Sequence, residues 1–110
     1  MPLVSARTVT AANQWTTPIF VAGSFTVTIR RAGLNAGTVG LLGGTTVTVQ
    51  RSTDGGVTYQ DVDRWKRTSE DLGFEGDVAL YTIGVKSGEF GTGGEGDVFV
   101  GIAYVGAPKS

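Results

Sequence analysis

Cysteine and histidine are both absent from this chain of 110 residues. Without cysteine there are no disulfides and no thiolate chemistry, and cysteine usage indicates no redox compartment. Without histidine the chain lacks the commonest general base, the commonest zinc ligand and the usual partner of a nucleophilic serine. We therefore expect a protein that is not an enzyme and that binds no cofactor or metal.

Charge of either sign is scarce, and long apolar runs are missing. The formal net charge is −1, which offers no basic surface for phosphates and no polybasic patch for a membrane. Residues 1–5 lack the charged stretch and apolar core of a signal peptide, and no apolar run approaches membrane-spanning length. We expect neither nucleic acid nor membrane as a partner.

Glycine, by contrast, is abundant, and its positions indicate tight turns. The chain has 18 glycines, about twice the ordinary frequency, with pairs at positions 43–44, 55–56 and 93–94. Glycine pairs at intervals along a chain are typical of many short strands joined by turns. At this length the chain is expected to form a single domain with a single core.

The hydrophobic period is two almost throughout, which predicts strands. The strand segments are 23–31, 45–51, 59–65, 79–86 and 97–105, of which the last is apolar on both faces and predicts a central strand. Only residues 65–72 favour one helical turn. The predicted fold is all-β: a single small antiparallel β-sandwich or jelly-roll-like domain over residues 19–110, preceded by an extended N-terminal arm over residues 1–18.

Residues 52–59 lie between two alternating runs and predict a hairpin turn with side-chain chemistry of its own. An Asp-Gly pair is a strong hairpin signal, because glycine tolerates positive φ and aspartate accepts hydrogen bonds from backbone N–H groups ahead of it. Hydroxyl groups tie such a loop to its own backbone, and a following ring can be buried. The structural turn comprises Ser52, Asp54, Gly55, Gly56, Thr58 and Tyr59.

Other chemical interpretations of these residues are weaker. Asp54 with Ser52 and Gly56 offers too few oxygens for Ca²⁺, so we favour a plain turn. Asp61 and Asp63 imitate a glycosidase carboxylate pair, but cross-strand pairing with nearby arginines and lysines is the favoured interpretation. The basic candidates are Arg51, Arg64, Lys66 and Arg67. Five aromatic residues suit either a sugar-stacking groove or, as we favour, the core: Trp15, Tyr59, Trp65, Tyr81 and Tyr104.

Several large apolar residues have no obvious place in one small core. They lie in the arm, in the long loop 32–44 and in the glycine-rich segment 86–97. We expect them to bury surface against neighbouring chains, with the arm reaching to a neighbour. The candidate assembly contacts are Trp15, Leu34, Leu41, Leu42 and Phe90.

Residues 52–59 also resemble the Asp-box, S-x-D-x-G-x-T-W, of sialidases and other β-propellers, with Tyr59 at the Trp position. In that family the motif folds a hairpin tip away from the active site, which implies architecture and not catalysis. The motif occurs once here, whereas a propeller repeats its blades.

The order of elements from residue 23 to residue 105 resembles small β-sandwich virion proteins of tailed bacteriophages. The resemblance rests on a strand ending in Gln50-Arg51-Ser52, the Asp-Gly-Gly turn, an acidic segment and a strand with Tyr81, a Gly-rich turn and a C-terminal strand. Tyr59 replaces the usual Trp, and the loop 32–44 looks like an insertion. The proteins that this chain resembles occupy different positions on the virion.

This resemblance implies a non-enzymatic structural protein of the virion, assembled in the cytoplasm of a bacterial host. The expected role is capsid decoration or cement that stabilises neighbouring subunits, in several copies or as a homo-oligomer. Its expected partners are other virion proteins, either the major capsid protein or neck and tail proteins. The alternatives are a neck or tail structural protein and a carbohydrate-binding β-sandwich module.

Overall fold

A computed structural model describes residues 3–31, 44–91 and 97–104 of the chain. These residues form seven strands and no helix, so the described part contains no helix that could cross a membrane. The strands are β1 (Leu3–Val9), β2 (Gln14–Trp15), β3 (Ile19–Arg31), β4 (Val47–Ser52), β5 (Gln60–Trp65), β6 (Ser69–Val85) and β7 (Val98–Tyr104).

All strand pairs are antiparallel and belong to one sheet, in the order β1-β7-β3-β6-β4-β5, with β2 also pairing to β6. The predicted all-β antiparallel fold is confirmed, and the arrangement is compatible with a small β-sandwich. The doubly apolar strand β7 lies between β1 and β3, as its composition predicts.

The two longest strands, β3 and β6, pass through both halves of the sheet. The C-terminal half of β3 pairs with residues 69–75 of β6, and its N-terminal end pairs with residues 79–81, with a register shift between Val21 and Gly23. β7 and β1 extend the first half, whereas β4 and β5 extend the second. The ring of Phe25 in the first half contacts Tyr81 in the second at 4.7 Å between centroids. One core is therefore shared by both halves.

The core consists of alternate residues from five strands, β1, β3, β4, β6 and β7, as the period of two requires. Its members are Val9, Val21, Phe25, Val27, Ile29, Val47, Val49, Ala79, Tyr81, Ile83, Val85, Val98, Val100, Ile102 and Tyr104. Burial of this apolar surface supplies the main favourable free energy of folding.

The segment 1–18 differs from the expected arm, because it contributes two strands to the sheet. β1 pairs with β7 along its whole length, and the side chain of Val9 is buried in the core. Thr16 is buried as well: its hydroxyl accepts a hydrogen bond from Ile83 N at 3.1 Å, and its carbonyl accepts one from Thr82 Oγ1 at 2.7 Å. The central strand β7 needs a neighbour on each edge, and β1 supplies one of them.

The prediction of a helical turn over residues 65–72 is wrong, and β6 begins ten residues before the predicted strand. In residues 69–75 the usual pattern is inverted. Asp71 and Gly73 lie opposite the core residues Val27 and Phe25, whereas Leu72 and Phe74 point away from the core. The alternation is present, but the apolar residues face outward and Asp71 and Gly73 stand on the core side, so the sequence shows no apolar core face here.

Candidate functional site

The turn after β4 is held together by the carboxylate of Asp54. Its Oδ1 accepts hydrogen bonds from Ser52 Oγ at 2.7 Å, Val57 N at 3.1 Å and Thr58 N at 2.9 Å. Its Oδ2 accepts one from Thr58 Oγ1 at 2.5 Å. Ser52 Oγ in turn accepts a hydrogen bond from Gly56 N at 2.9 Å. Every partner lies within four residues, and four of the predicted turn residues thus form one local network together with Val57: Ser52, Asp54, Gly56 and Thr58.

The conformation of this turn requires glycine at its centre. Gly55 and Gly56 have φ of 76° and 96°, a region that residues with a Cβ rarely adopt. A Cβ on Gly56 would also lie 3.3 Å from the hydroxyl of Tyr59, which is half-buried against the turn. The turn is therefore a compact structural unit.

The hydrogen bonds of the turn keep the carboxylate of Asp54 ionised. The hydroxyl and N–H of Thr58, and then the hydroxyl of Ser52, hold the pKa of Asp54 well below its ordinary value. Both carboxylate oxygens already accept protein donors, so the Ca²⁺ interpretation of Asp54 gains nothing from this geometry. The described residues contain no group of three or more His, Cys, Asp or Glu side chains that could hold a metal.

A second carboxylate network, which the sequence analysis missed, lies at the register shift of β6. Glu75 is only 4% exposed. Arg51 of β4 donates to it twice, from Nε to Oε1 at 2.5 Å and from Nη2 to Oε2 at 2.8 Å. Tyr81 Oη donates to Oε1 at 2.8 Å, and Asp77 N donates to Oε2 at 3.0 Å. Glu75 therefore joins β4 to both halves of β6.

The titration of this network follows from its contacts. The paired guanidinium of Arg51 lowers the pKa of Glu75 to about 2, and the hydrogen bond to Glu75 raises the pKa of Arg51 above its ordinary value. Burial, followed by the hydrogen bond to Glu75, raises the pKa of Tyr81 to about 12. At ordinary pH the Arg51–Glu75 pair is therefore ionised and the phenol of Tyr81 is neutral. These charge states keep the hydrogen bonds of the network intact.

Asp61 and Asp63 do not share their partners, because β5 carries a register shift opposite Val49 and Gln50. Asp61 accepts hydrogen bonds from Lys86 Nζ at 2.7 Å and Gln50 Nε2 at 2.8 Å, and these lower its pKa.

The predicted basic partners are found only in part. Arg64 lies 3.9 Å from Asp61, whereas Asp63 accepts from the backbone N of Arg64. Arg51, another predicted partner, pairs with Glu75 instead. The main cation beside Asp61 is Lys86, which the sequence analysis did not consider for this position.

The five aromatic candidates for a sugar-stacking groove are divided between the core and the surface. Tyr81 and Tyr104 are core residues, and Trp65 packs against the core. Trp15 is half-buried on the backbone of Gly84, where an added Cβ would lie 2.8 Å from the indole. With two rings fully enclosed, these five residues do not form one exposed platform.

The candidate assembly contacts have mixed positions. Trp15 is half-buried, and Phe90 packs against the core from the loop after β6. Leu34, Leu41 and Leu42 lie outside the described residues.

The structure exposes a different set of apolar residues on the side of the first half-sheet away from the core, which we call the outer face. One row crosses four strands and contains no charged residue: Leu72, Thr26, Ala103 and Val4. The next row consists of Glu70, Thr28, Gly101 and Ala6. Large side chains stand at the ends of the first row and small ones in its middle.

The small residues leave a shallow hollow of about 160 Å³ in the outer face. Its floor includes Gly101, and Arg30 lies over the ring of Phe99 at 4.8 Å from the centroid. The hydroxyl of Thr28 donates to Glu70 across the hollow at 3.2 Å. A broad, weakly concave and mostly uncharged sheet face can accept part of another protein.

The sequence offered one usable signal for this surface. Residues 70–75 alternate between two large apolar residues, Leu72 and Phe74, and polar or small ones. This period of two predicts a strand over residues 70–75, but the acidic residues in the segment made the pattern difficult to recognise.

No family model and no curated protein matches this chain. Among solved structures it is similar to the Yersinia pseudotuberculosis-derived mitogen (YPM), with a TM-score of 0.48 and 13% sequence identity. The alignment covers 100% of this chain and 90% of the mitogen chain. At this level of similarity the mitogen supports no inference about the function of this protein.

Proposed function

We propose that this protein is a non-enzymatic structural protein of a tailed-phage virion, with capsid decoration or cement as its role. The resemblance of residues 23–105 to small β-sandwich virion proteins supports this class of particle. The observation that carries the assembly role is the outer face, with its uncharged row from Leu72 to Val4.

The dimensions of the outer face suit a contact that is repeated many times. Along β3 the outer face extends over four rows, at Ser24, Thr26, Thr28 and Arg30, of which the middle two cross all four strands. Four strands at roughly 4.8 Å and four rows at roughly 6.7 Å give a face of at most about 500 Å². Counting both partners, such a contact lies near the lower limit of a specific interface. Many copies on one particle would make it effective, because each bound neighbour raises the effective concentration of the next.

The carboxylates support a structural role over a catalytic one. The oxygens of Asp54 and Glu75 already accept hydrogen bonds from protein groups, and each carboxylate has its pKa lowered. A general acid or base near neutral pH needs the opposite, a pKa close to the working pH.

Electron microscopy of purified particles that contain the protein tests the proposal first. We expect density for the domain between capsid subunits. Density at the neck or tail would support the alternative position within the virion, and absence of the protein from purified particles would contradict the proposal.

Particles that lack the protein test the outer face itself. Purified protein is added back, and bound copies and thermal release of DNA are measured. Val4→Glu introduces a charge at the end of the uncharged row, where Val4 is exposed, and should reduce both occupancy and heat resistance. Val62→Glu on the edge strand β5 is the matched control and should bind like the wild type. Equal binding by Val4→Glu would remove the outer face from the interface.

A further inference from the structure

The first part of β6 is an open edge of the sheet. Residues 69–75 pair with β3 on one side, while β4 pairs with β6 only from Leu80 to Gly84. No strand of the described part of the chain lies on the other side of residues 69–75. An edge of this kind presents backbone N–H and C=O groups with which another strand can pair. We call residues 69–75 the open edge.

Two large apolar side chains stand on the open edge with little cover. Leu72 is 84% exposed and Phe74 is 72% exposed, and both point to the outer face. Proteins usually protect an unpaired edge with charged residues, proline or a bulge. Charges are present here, but protection alone does not account for Leu72 and Phe74, which would gain apolar cross-strand neighbours from a strand added beside them.

The charge on this part of the chain selects the occupant. Residues 69–77 contain four carboxylates, and residues 68–85 contain no lysine or arginine: the carboxylates are Glu70, Asp71, Glu75 and Asp77. Arg51 neutralises Glu75, whereas Asp71 accepts hydrogen bonds from the neutral donors Trp65 Nε1 and Ser69 Oγ among the described residues. The open edge therefore keeps a negative charge.

A second copy of this chain is a poor occupant of the open edge. Antiparallel pairing of two copies about Leu72 would bring two sets of these carboxylates together on neighbouring strands. Like charges on adjacent strands destabilise pairing. A strand with lysine or arginine near Glu70 and Asp71, and apolar residues near Leu72 and Phe74, meets both requirements.

We propose that the open edge of β6 binds an extended, basic segment of another protein by strand addition, with apolar residues of that segment alternating with lysine or arginine. This inference rests on the proposed assembly function and names the chemistry of the neighbour's segment. Backbone hydrogen bonds would supply affinity, and the carboxylates would supply preference for a basic sequence.

The test uses the full chain and two synthetic peptides with blocked ends, one of alternating valine and lysine and one of alternating valine and glutamate. Amide hydrogen exchange is measured by NMR with each peptide. At ten times its Kd, the lysine peptide should slow exchange within residues 69–75 roughly tenfold where the amides are free. The glutamate peptide should not slow exchange there, and added salt should weaken the binding of the lysine peptide.

Paired variants locate the site. Leu72→Ser with Phe74→Ser should weaken binding of the lysine peptide by about tenfold, if each lost cross-strand contact is worth about 0.7 kcal/mol. Val57→Ser is the matched control, because Val57 is 80% exposed in the turn, and it should bind like the wild type. Circular dichroism and thermal melting of each variant confirm that the fold is retained.

Four results would overturn the inference: no binding of the lysine peptide, equal binding of both peptides, protection of a different edge, or self-association through residues 69–75. The peptide test is independent of particles. Protein that joins particles through Val4 but binds no lysine peptide would refute the inference alone. Protein that binds the lysine peptide at the open edge but is absent from particles would refute the proposed function.

Discussion

Asp54 and Glu75 are two carboxylates with lowered pKa that are held in opposite ways. Asp54 lies in an exposed turn, and its partners are at most four residues away. Glu75 is buried, and its partners come from β4, from the register shift in β6 and from Tyr81. The first network stabilises one turn, whereas the second fixes how two halves of the sheet meet. Similar titration behaviour therefore conceals different structural roles.

Removal of Glu75 should have the largest effect. Glu75→Ala leaves the guanidinium of Arg51 and the hydroxyl of Tyr81 without their acceptor, and should lower the free energy of unfolding by about 2–3 kcal/mol. Chemical denaturation measures it. Glu70→Ala, an exposed carboxylate on the same strand, is the control and should change stability by about 0.5 kcal/mol or less. Equal losses of unfolding free energy in the two variants would mean that the buried network stabilises the fold no more than an exposed carboxylate does.

Gly73→Ala should have the next largest effect, since this glycine is required by tertiary packing and not by a turn. A Cβ on Gly73 would lie 2.3 Å from Cζ of Phe25, and such overpacking costs about 1–3 kcal/mol. The control is Gly76→Ala, where the nearest atom would be 3.7 Å away. Phe25→Leu should reduce the additional cost of Gly73→Ala, and strict additivity of the two changes would contradict the stated cause.

The Glu75 network should make the stability of the fold depend on pH at both ends of the pH range. Because the pKa of Glu75 falls from 4.5 to about 2 on folding, its contribution is complete above pH 4.5 and is lost as pH falls toward 2. Since the pKa of Tyr81 rises from 10.0 to about 12, its contribution is complete below pH 10 and is lost as pH rises toward 12.

Denaturation midpoints measured between pH 2 and 12 test both expected losses of stability, the one in acid and the one in alkali. Glu75→Gln should flatten the acid limb much more than Asp54→Asn, because the Glu75 network is buried and the Asp54 network is exposed to solvent screening. An acid limb unchanged in Glu75→Gln would show that other carboxylates control it.

Asp54→Ala should have the smallest global effect and a clear local one. The amides of Val57 and Thr58 lose their shared acceptor Oδ1, so their hydrogen exchange should accelerate while that of β7 stays unchanged. Val57→Ser, which removes no side-chain hydrogen bond from the turn, is the control. A loss of stability as large as that of Glu75→Ala would erase the distinction between the two networks.

Much of the fold follows from the sequence because its determinants are short-range. The Asp54 turn needs only residue types at fixed spacing, and the strands around Val27 and Val49 show the period of two. The two apolar faces of β7 predict its central position. Each of these features depends on neighbours along the chain, so the order of residues specifies it directly.

Only the tertiary structure decided the partners across the sheet. Arg51 and Glu75 are 24 residues apart, and sequence reasoning paired Arg51 with the nearer carboxylates of β5. The pairing of β1 with β7, the inward polar residues of β6 and the exposure of Leu72 depend in the same way on register and strand order. A period of two determines which residues share a face, but it does not determine which strand lies beside that face.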